Sequence, residues 1–151
     1  MDIGKICQKK VVTVRKSEEL IRAAELMRER HVGYLVVVES DLADGLDRPI
    51  GVITDRDIVV TVVARAADPS ALLVGDVMTQ QPVTVSENDS IEKALQEMRR
   101  IGVRRLPVLG RRGEITGVVS LDDILDVVAD EVANLAGSVR NERRIEGSMR
   151  P

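Results

Sequence analysis

The sequence has almost no aromatic residues: its 151 residues include no Trp, no Phe and a single tyrosine, Tyr34. Aliphatic side chains and methionine must therefore fill the core, and stacking of single-stranded nucleic acid on aromatic rings is excluded. One Cys and one His exclude an internal disulfide and a Cys/His zinc site. Hydrophobic residues still make up 44% of the chain, which is enough for a folded core.

Charge and hydropathy narrow the class of protein further. Lys and Arg number 22 and Asp and Glu number 25, so the formal net charge is −3, and the concentrated positive surface that nucleic-acid binding needs is not expected. No apolar run is long enough to span a bilayer, and the N-terminus lacks the apolar stretch of a signal peptide. These features predict a cytoplasmic protein with neither a membrane nor a nucleic acid as partner.

An internal repeat organises the chain. Residues displaced by 71 positions match, so that Gly4-Lys5-Ile6-Cys7 lies over Gly75-Asp76-Val77-Met78. After an insertion in the first copy the displacement becomes 66, and Gly51-Val52-Ile53-Thr54 lies over Gly117-Val118-Val119-Ser120. This pattern predicts a tandem duplication, with one repeat over residues 1–68 and the second over residues 69–136. Residues 137–151 are polar and rich in Arg, and we expect them to form a loosely ordered tail.

Each repeat is predicted to contain a strand, a helix, two strands and a closing helix, which is a mixed α and β fold. The first repeat has strands at 11–14, 34–38 and 50–53 and a helix at about 17–30; the second has strands at 83–85, 106–109 and 115–119 and a helix at about 89–100. The closing helices begin near Asp55 and Leu121. Residues 58–63 favour a strand by propensity, but their counterpart has a helical pattern, so both segments are predicted to be helical.

Each closing helix begins at a short motif whose residues suit the binding of a ligand. A strand ends at a hydroxyl residue, Thr54 or Ser120, and an aspartate, Asp57 or Asp123, follows three positions later. A helix N-terminus attracts phosphate through its free N–H groups and its positive partial charge, and a carboxylate accepts the two hydroxyls of a ribose. The same pattern is also a simple capping box, in which the two side chains only close the helix end. Both interpretations stay open at this point.

The element order and the two G-h-h-[ST]-x-x-D segments resemble a pair of CBS (cystathionine β-synthase) domains. Further matching segments are Gly75-Asp76-Val77-Met78-Thr79, Pro82-Val83-Thr84-Val85 and Gly102-Val103-Arg104-Arg105-Leu106-Pro107-Val108. The resemblance covers about residues 4–132. It implies an α/β (α+β) fold of tandem β-α-β-β-α repeats packed about a pseudo-twofold axis. It also implies two clefts between the repeats, which in the family hold AMP, ADP, ATP, NAD or S-adenosylmethionine.

Family members combine the aspartate-bearing segment of one repeat with the middle strand of the other. Carried over to this chain, the resemblance places one cleft at Thr54, Asp57, Val103, Arg104 and Arg105. It places the other cleft at Val118, Ser120, Asp123, Val32 and Gly33. Relatives often have His-Arg before the middle strand, where it reaches phosphate, and Arg104-Arg105 preserves the cations. The first copy has Gly33-Tyr34 at that point, so we expect the two clefts to be unequal.

The resemblance implies a stand-alone regulatory module of bacterial type, which binds an adenosine-containing ligand and signals to a separate partner protein. The alternative is an interaction protein whose clefts are degenerate and whose repeats serve only to dimerise. No nucleophile–base pair, metal cluster or glycine-rich phosphate loop supports an enzyme, so neither catalytic residues nor a catalytic cofactor is expected.

We expect a homodimer because an apolar face on the closing helices usually marks an interface. That face would contain Val59, Val62, Val63, Leu125, Val128 and Val132.

Overall fold

The structure is a computed structural model that describes residues 1–149, and it contains two small sheets with helices packed beside them. In the first half, the elements are α1 (Ile3–Ile6), β1 (Thr13–Val14), α2 (Leu20–Arg30), β2 (Tyr34–Ser40), β3 (Asp47–Thr54), α3 (Asp55–Ile58), a π-helical turn (Val59–Val63) and a 3₁₀ turn (Pro69–Ala71). In the second half, they are α4 (Val74–Val77), β4 (Thr79–Gln80), β5 (Val85–Ser86), α5 (Ile91–Ile101), β6 (Arg105–Leu109), β7 (Ile115–Ser120) and α6 (Leu121–Met149). Among residues 1–149, no helix has both the length and the apolar character needed to cross a membrane.

The two sheets share one topology, which confirms the predicted fold class. The first sheet has the order β1-β2-β3-β4, with β1 parallel to β2 and the other pairs antiparallel. The second has the order β5-β6-β7, which repeats the parallel and the antiparallel pair of β1, β2 and β3 without a fourth strand. Each sheet has its own aliphatic core: Leu35 and Ile53 are fully buried in the first, and Leu106 and Val119 in the second.

Both closing helices form as predicted, and the β-branched run at residues 58–63 is helical. It continues α3 through the π-helical turn, because packing against the first sheet outweighs strand propensity. The prediction is wrong for one residue of the exposed apolar face, Val62. Val62 is only 1% exposed and lies on the inner side of this turn, within the first core. The other five members of that face are exposed.

The C-terminal segment differs from the expected loosely ordered tail. Helix α6 continues without a break from Leu121 to Met149, so residues 137–149 are helical; residues 150 and 151 lie outside the described part of the chain. Arg and Glu in this segment are good helix formers, and no proline interrupts it. Two interior glycines, Gly137 and Gly147, each cost about 1 kcal/mol but do not end the helix.

The leading segments of the two repeats are exchanged between the sheets. The N–H of Ile3 donates to the carbonyl of Asp89 at 2.9 Å, and α1 packs into the second core, where Ile3 is fully buried. Conversely, the N–H of Val74 donates to the carbonyl of Glu18 at 2.9 Å, and α4 packs into the first core. The repeat boundaries at residues 1–68 and 69–136 stay a prediction about sequence units. In space, each core is completed by the other repeat's first residues.

Each exchanged segment crosses a strand at a glycine. A Cβ atom on Gly117 would lie 2.9 Å from the carbonyl oxygen of Gln8, and one on Gly51 would lie 2.9 Å from that of Thr79. Real Cβ atoms do not approach so closely, so only glycine lets the two backbones meet. The duplication pairs Gly51 with Gly117, and this close approach explains why both copies have glycine there.

The exchange predicts that the N-terminal segment stabilises the second repeat. Ile3→Ala removes a fully buried side chain from the second core, and we expect the free energy of unfolding to fall by about 2–5 kcal/mol. Leu42→Ala is the control, because that side chain is fully exposed and its loss should change stability by about 0.5 kcal/mol or less. Urea denaturation followed by circular dichroism measures both. Equal effects of the two substitutions would contradict the exchange.

Candidate functional site

Two clefts lie between the repeats at positions that the duplication relates. Cleft 1 has a volume of about 580 Å³ and lies between the β3–α3 junction and residues 79–83 and 101–105. Cleft 2 has a volume of about 300 Å³ and lies between Val118 on β7 and residues 8–12 and 31–36. Small-molecule sites in proteins have volumes of about 300–1,000 Å³, so cleft 1 fits a nucleotide-sized molecule more readily than cleft 2.

The β3–α3 junction positions the first motif. The N–H of Thr54 donates to Oδ2 of Asp57 at 2.9 Å, and the N–H of Asp57 donates back to Oγ1 of Thr54 at 3.1 Å. The capping box expected from the sequence is therefore formed. It uses only Oδ2, and no group within residues 1–149 donates a hydrogen bond to Oδ1. Capping and ligand binding are thus compatible at Asp57, because one carboxylate oxygen is left to accept from a ligand.

The β7–α6 junction has the same cap with an additional partner. The N–H and the hydroxyl of Ser120 both donate to Oδ2 of Asp123, at 2.8 and 2.7 Å. The side-chain Nε2 of Gln8 donates to the other oxygen, Oδ1 of Asp123, at 2.9 Å. Both oxygens of this carboxylate are therefore engaged within the protein, unlike those of Asp57.

Cleft 1 combines apolar walls with charged groups. Val52, Val83, Ile101 and Val103 supply aliphatic surface from both repeats. Arg56, Arg104 and Arg105 supply cations, and Asp55 and Asp57 supply carboxylates, along the same lining. An apolar cavity with a few convergent charged groups is the usual form of a small-molecule site.

Arg104 lines cleft 1 but is held by an exposed ion pair. Its Nη2 lies 3.2 Å from Oδ1 of Asp122, and both side chains are 67% exposed. Such exposed pairs contribute about 1 kcal/mol or less. The guanidinium is therefore available to an incoming anion at small cost. Arg105 lines both clefts.

Tyr34 occupies the position of the first repeat that the duplication pairs with Arg105, and it too lines both clefts. Burial raises the pKa of its phenol above the ordinary value, and the nearby positive charge of Arg105 only partly opposes this. Tyr34 and Arg105 therefore lie close to each other, where the two clefts meet.

The residues predicted for the first cleft come together, whereas those predicted for the second do so only in part. Cleft 1 is lined by all five of its predicted residues: Thr54, Asp57, Val103, Arg104 and Arg105. Cleft 2 is lined by Val32, Gly33 and Val118. Ser120 and Asp123 are not among its lining residues, because Gln8 lies against Asp123 and itself forms part of the lining.

Sequence reasoning missed the contribution of the exchanged segments. Thr79, Gln81 and Val83 line cleft 1, and Gln8 and Val12 line cleft 2. The repeat register pairs Thr79 with Gln8 and Val83 with Val12. This pairing is the sequence feature that indicates equivalent roles for these residues in the two clefts. Spatial exchange cannot be read from a repeat register, which only relates positions in the chain.

The sequence matches a known protein family over most of its length. The family model for the CBS domain matches residues 3–64 and 74–130. The uncharacterized protein MK0525 of Methanopyrus kandleri is 33% identical over 135 residues, which cover 89% of this chain and 66%, just under two thirds, of that protein. Hypoxic response protein 1 of Mycobacterium tuberculosis is 35% identical over 114 residues, 76% of each protein.

Solved structures show the same arrangement. A crystal structure of Hypoxic Response Protein I with two coordinated zinc ions has a TM-score of 0.72 at 32% identity and covers 83% of this chain and 98% of that one. A CBS domain protein from Pyrobaculum aerophilum complexed with AMP has a TM-score of 0.71 at 24% identity, covering 82% and 89%; at this identity the likeness shows the fold alone. Within residues 1–149 of the present chain, no three His, Cys, Asp or Glu side chains cluster to hold a metal ion.

The environment of Tyr34 predicts that its phenol loses its proton at a higher pH than an exposed tyrosine does. Tyr34 is the single tyrosine, so tyrosinate absorbance reports it alone, and we expect a midpoint above the ordinary value of about 10 in the folded protein. Since the pKa is raised on folding, the free energy of unfolding should fall as pH rises above about 10. The urea-unfolded chain should titrate near 10. A folded-state midpoint of about 10 would contradict this environment of Tyr34.

Proposed function

Because the chain belongs to the CBS domain family, we propose that it is a regulatory module that binds an adenosine nucleotide in cleft 1 and passes occupancy to another protein. The observation that carries the proposal is Oδ1 of Asp57, which accepts no hydrogen bond from residues 1–149 and lies next to aliphatic walls from both repeats. A ligand held there contacts both repeats at once. Occupancy would therefore fix their relative position, which a partner protein could sense.

The chemistry of cleft 1 suits each part of a nucleotide. Val52, Val83 and Val103 offer aliphatic surface for a purine ring, and Asp57 offers a carboxylate oxygen for the hydroxyls of a ribose. Arg104 and Arg105 offer cations for phosphate, once Arg104 leaves its exposed pair with Asp122. The binding of AMP, ADP, ATP, NAD and S-adenosylmethionine can be ranked by thermal shift, since a ligand of the native state raises the melting temperature.

We also propose that the chain forms a homodimer. Val59, Val63, Leu125, Val128 and Val132 of the closing helices are between 49% and 67% exposed. Along α6 the apolar series continues through Leu135 and Val139, with alternating spacings of three and four residues. That spacing is the seam of a helix that packs on another helix, and an exposed patch of this extent marks an interface.

The nucleotide proposal predicts a large effect of Asp57→Asn. The amide oxygen still accepts from the N–H of Thr54, so the cap is retained, but the group facing the ribose changes from an acceptor to an N–H₂ donor. A hydrogen bond to a charged acceptor contributes about 1.5–3 kcal/mol, so calorimetry should show AMP affinity falling about 10- to 150-fold.

Asp76→Asn is the matched control for this substitution. Asp76 caps α4 by accepting from the N–H of Leu73 at 2.8 Å, and it lines neither cleft. It should leave AMP affinity within about twofold. If Asp57→Asn binds every ligand of the panel as tightly as the unchanged protein does, Asp57 is only a helix cap and the proposed site is wrong.

The dimer proposal predicts that light scattering at tens of micromolar protein gives twice the chain mass of 16.6 kDa. Val128→Glu places a charge in the apolar series of α6 and should shift the mass toward the monomer. Leu42→Glu, a fully exposed position far along the chain from that series, should leave the dimer intact. A monomer mass for the unchanged protein would overturn the proposal.

A further inference from the structure

The two motif aspartates differ in one contact that neither duplication nor capping requires. Oδ1 of Asp123 accepts a hydrogen bond from Nε2 of Gln8 at 2.9 Å, while its Oδ2 is held by Ser120. Oδ1 of Asp57 accepts none from residues 1–149. This contact is solvent-exposed, so it competes with a diol for Oδ1: a ligand must displace the Gln8 amide before it can use that oxygen, which weakens binding at Asp123 relative to Asp57.

Gln8 is held firmly at this place by its backbone. Its N–H donates to the carbonyl of Val118 at 2.9 Å, and the N–H of Val118 donates back at 3.0 Å. Gly117 lets this segment approach closely, as described above. The side chain of Gln8 therefore starts from a fixed backbone beside α6 and reaches Asp123 without any rearrangement.

The equivalent position at cleft 1 is Thr79, which pairs with Val52 on β3 as Gln8 pairs with Val118 on β7. The side chain of Thr79 is shorter by two heavy atoms and carries no amide donor. Thr79 lines cleft 1 and makes no side-chain hydrogen bond to Asp57. A single difference between the two copies thus accounts for one open and one engaged carboxylate.

Two further differences point the same way. Cleft 2 has about half the volume of cleft 1, and Gln8 is part of its lining, whereas Asp123 is not. In addition, Gly33 stands where cleft 1 has Arg104, so cleft 2 is lined by Lys10 and Arg105, whereas cleft 1 is lined by three arginines.

We infer that the side-chain amide of Gln8 occupies Oδ1 of Asp123 in place of a ligand. The chain therefore binds one nucleotide, in cleft 1, and not two. The inference rests on the proposed function of cleft 1 and adds the residue that sets the stoichiometry. Gln8 acts as a specificity-determining residue: its amide takes the place that the ribose hydroxyls of a second ligand would need.

The test exchanges the two equivalent residues. Calorimetry is carried out with AMP and with adenosine, which has the ribose diol but needs no cation for a phosphate. The unchanged protein should bind one AMP. Gln8→Thr should add a second site that binds adenosine, and Asp123→Asn in the same chain should remove that added site. Thr79→Gln should weaken AMP binding at cleft 1 at least 10-fold, whereas the control Thr79→Val should weaken it less than threefold.

The outcomes separate this inference from the proposed function. Two equivalent AMP sites in the unchanged protein, or a Gln8→Thr variant that still binds a single adenosine, would overturn the role of Gln8 and leave cleft 1 as the site. No binding by the unchanged protein together with one adenosine bound by Gln8→Thr would support the role of Gln8 and overturn the function of cleft 1. Absence of binding by both proteins would overturn both proposals.

Discussion

The exchange of leading segments is the constraint on which the rest of the structure depends. Each core includes buried side chains from the other repeat, Val74 in the first core and Ile3 in the second. With no Phe or Trp available, small aliphatic residues must be packed from several segments to exclude water. The exchange therefore binds the repeats into one unit, and it also brings residues of one repeat to the aspartate motif of the other.

Because of this exchange, the two clefts have equivalent backbone surroundings. Small sequence differences between the repeats can still give them different capacities for binding a ligand. The backbone that crosses Gly51 and the one that crosses Gly117 approach these glycines equally closely. What differs is the side chain that each delivers, Thr79 in one case and Gln8 in the other. A duplicated fold can thus keep two helix caps for stability while only one retains an oxygen for a ligand, because capping needs one carboxylate oxygen and diol binding needs another.

Much of the fold could be predicted from the sequence, because the pattern in each repeat supports the secondary structure predicted for the other. The β-branched run at residues 58–63 was recognised as helical because its counterpart after Ile124 has a helical pattern. The five residues that the sequence assigns to cleft 1 line one cavity, and their role in binding stays a prediction. The contact between Gln8 and Asp123 could not be foreseen, since it joins residues 115 positions apart through an exchange that leaves no mark in the register. The helical C-terminus was missed because polar composition was taken as a sign of disorder, although its residues are good helix formers.

The central claim is that cleft 1, and not cleft 2, is the nucleotide site, and a crystal structure of the full chain grown with AMP tests it most directly. The account predicts one AMP per chain, with its ribose hydroxyls on Oδ1 of Asp57 and its phosphate near Arg104, while Gln8 remains on Asp123. AMP bound in cleft 2 with Gln8 displaced, or AMP absent from cleft 1 at saturating concentration, would contradict the account.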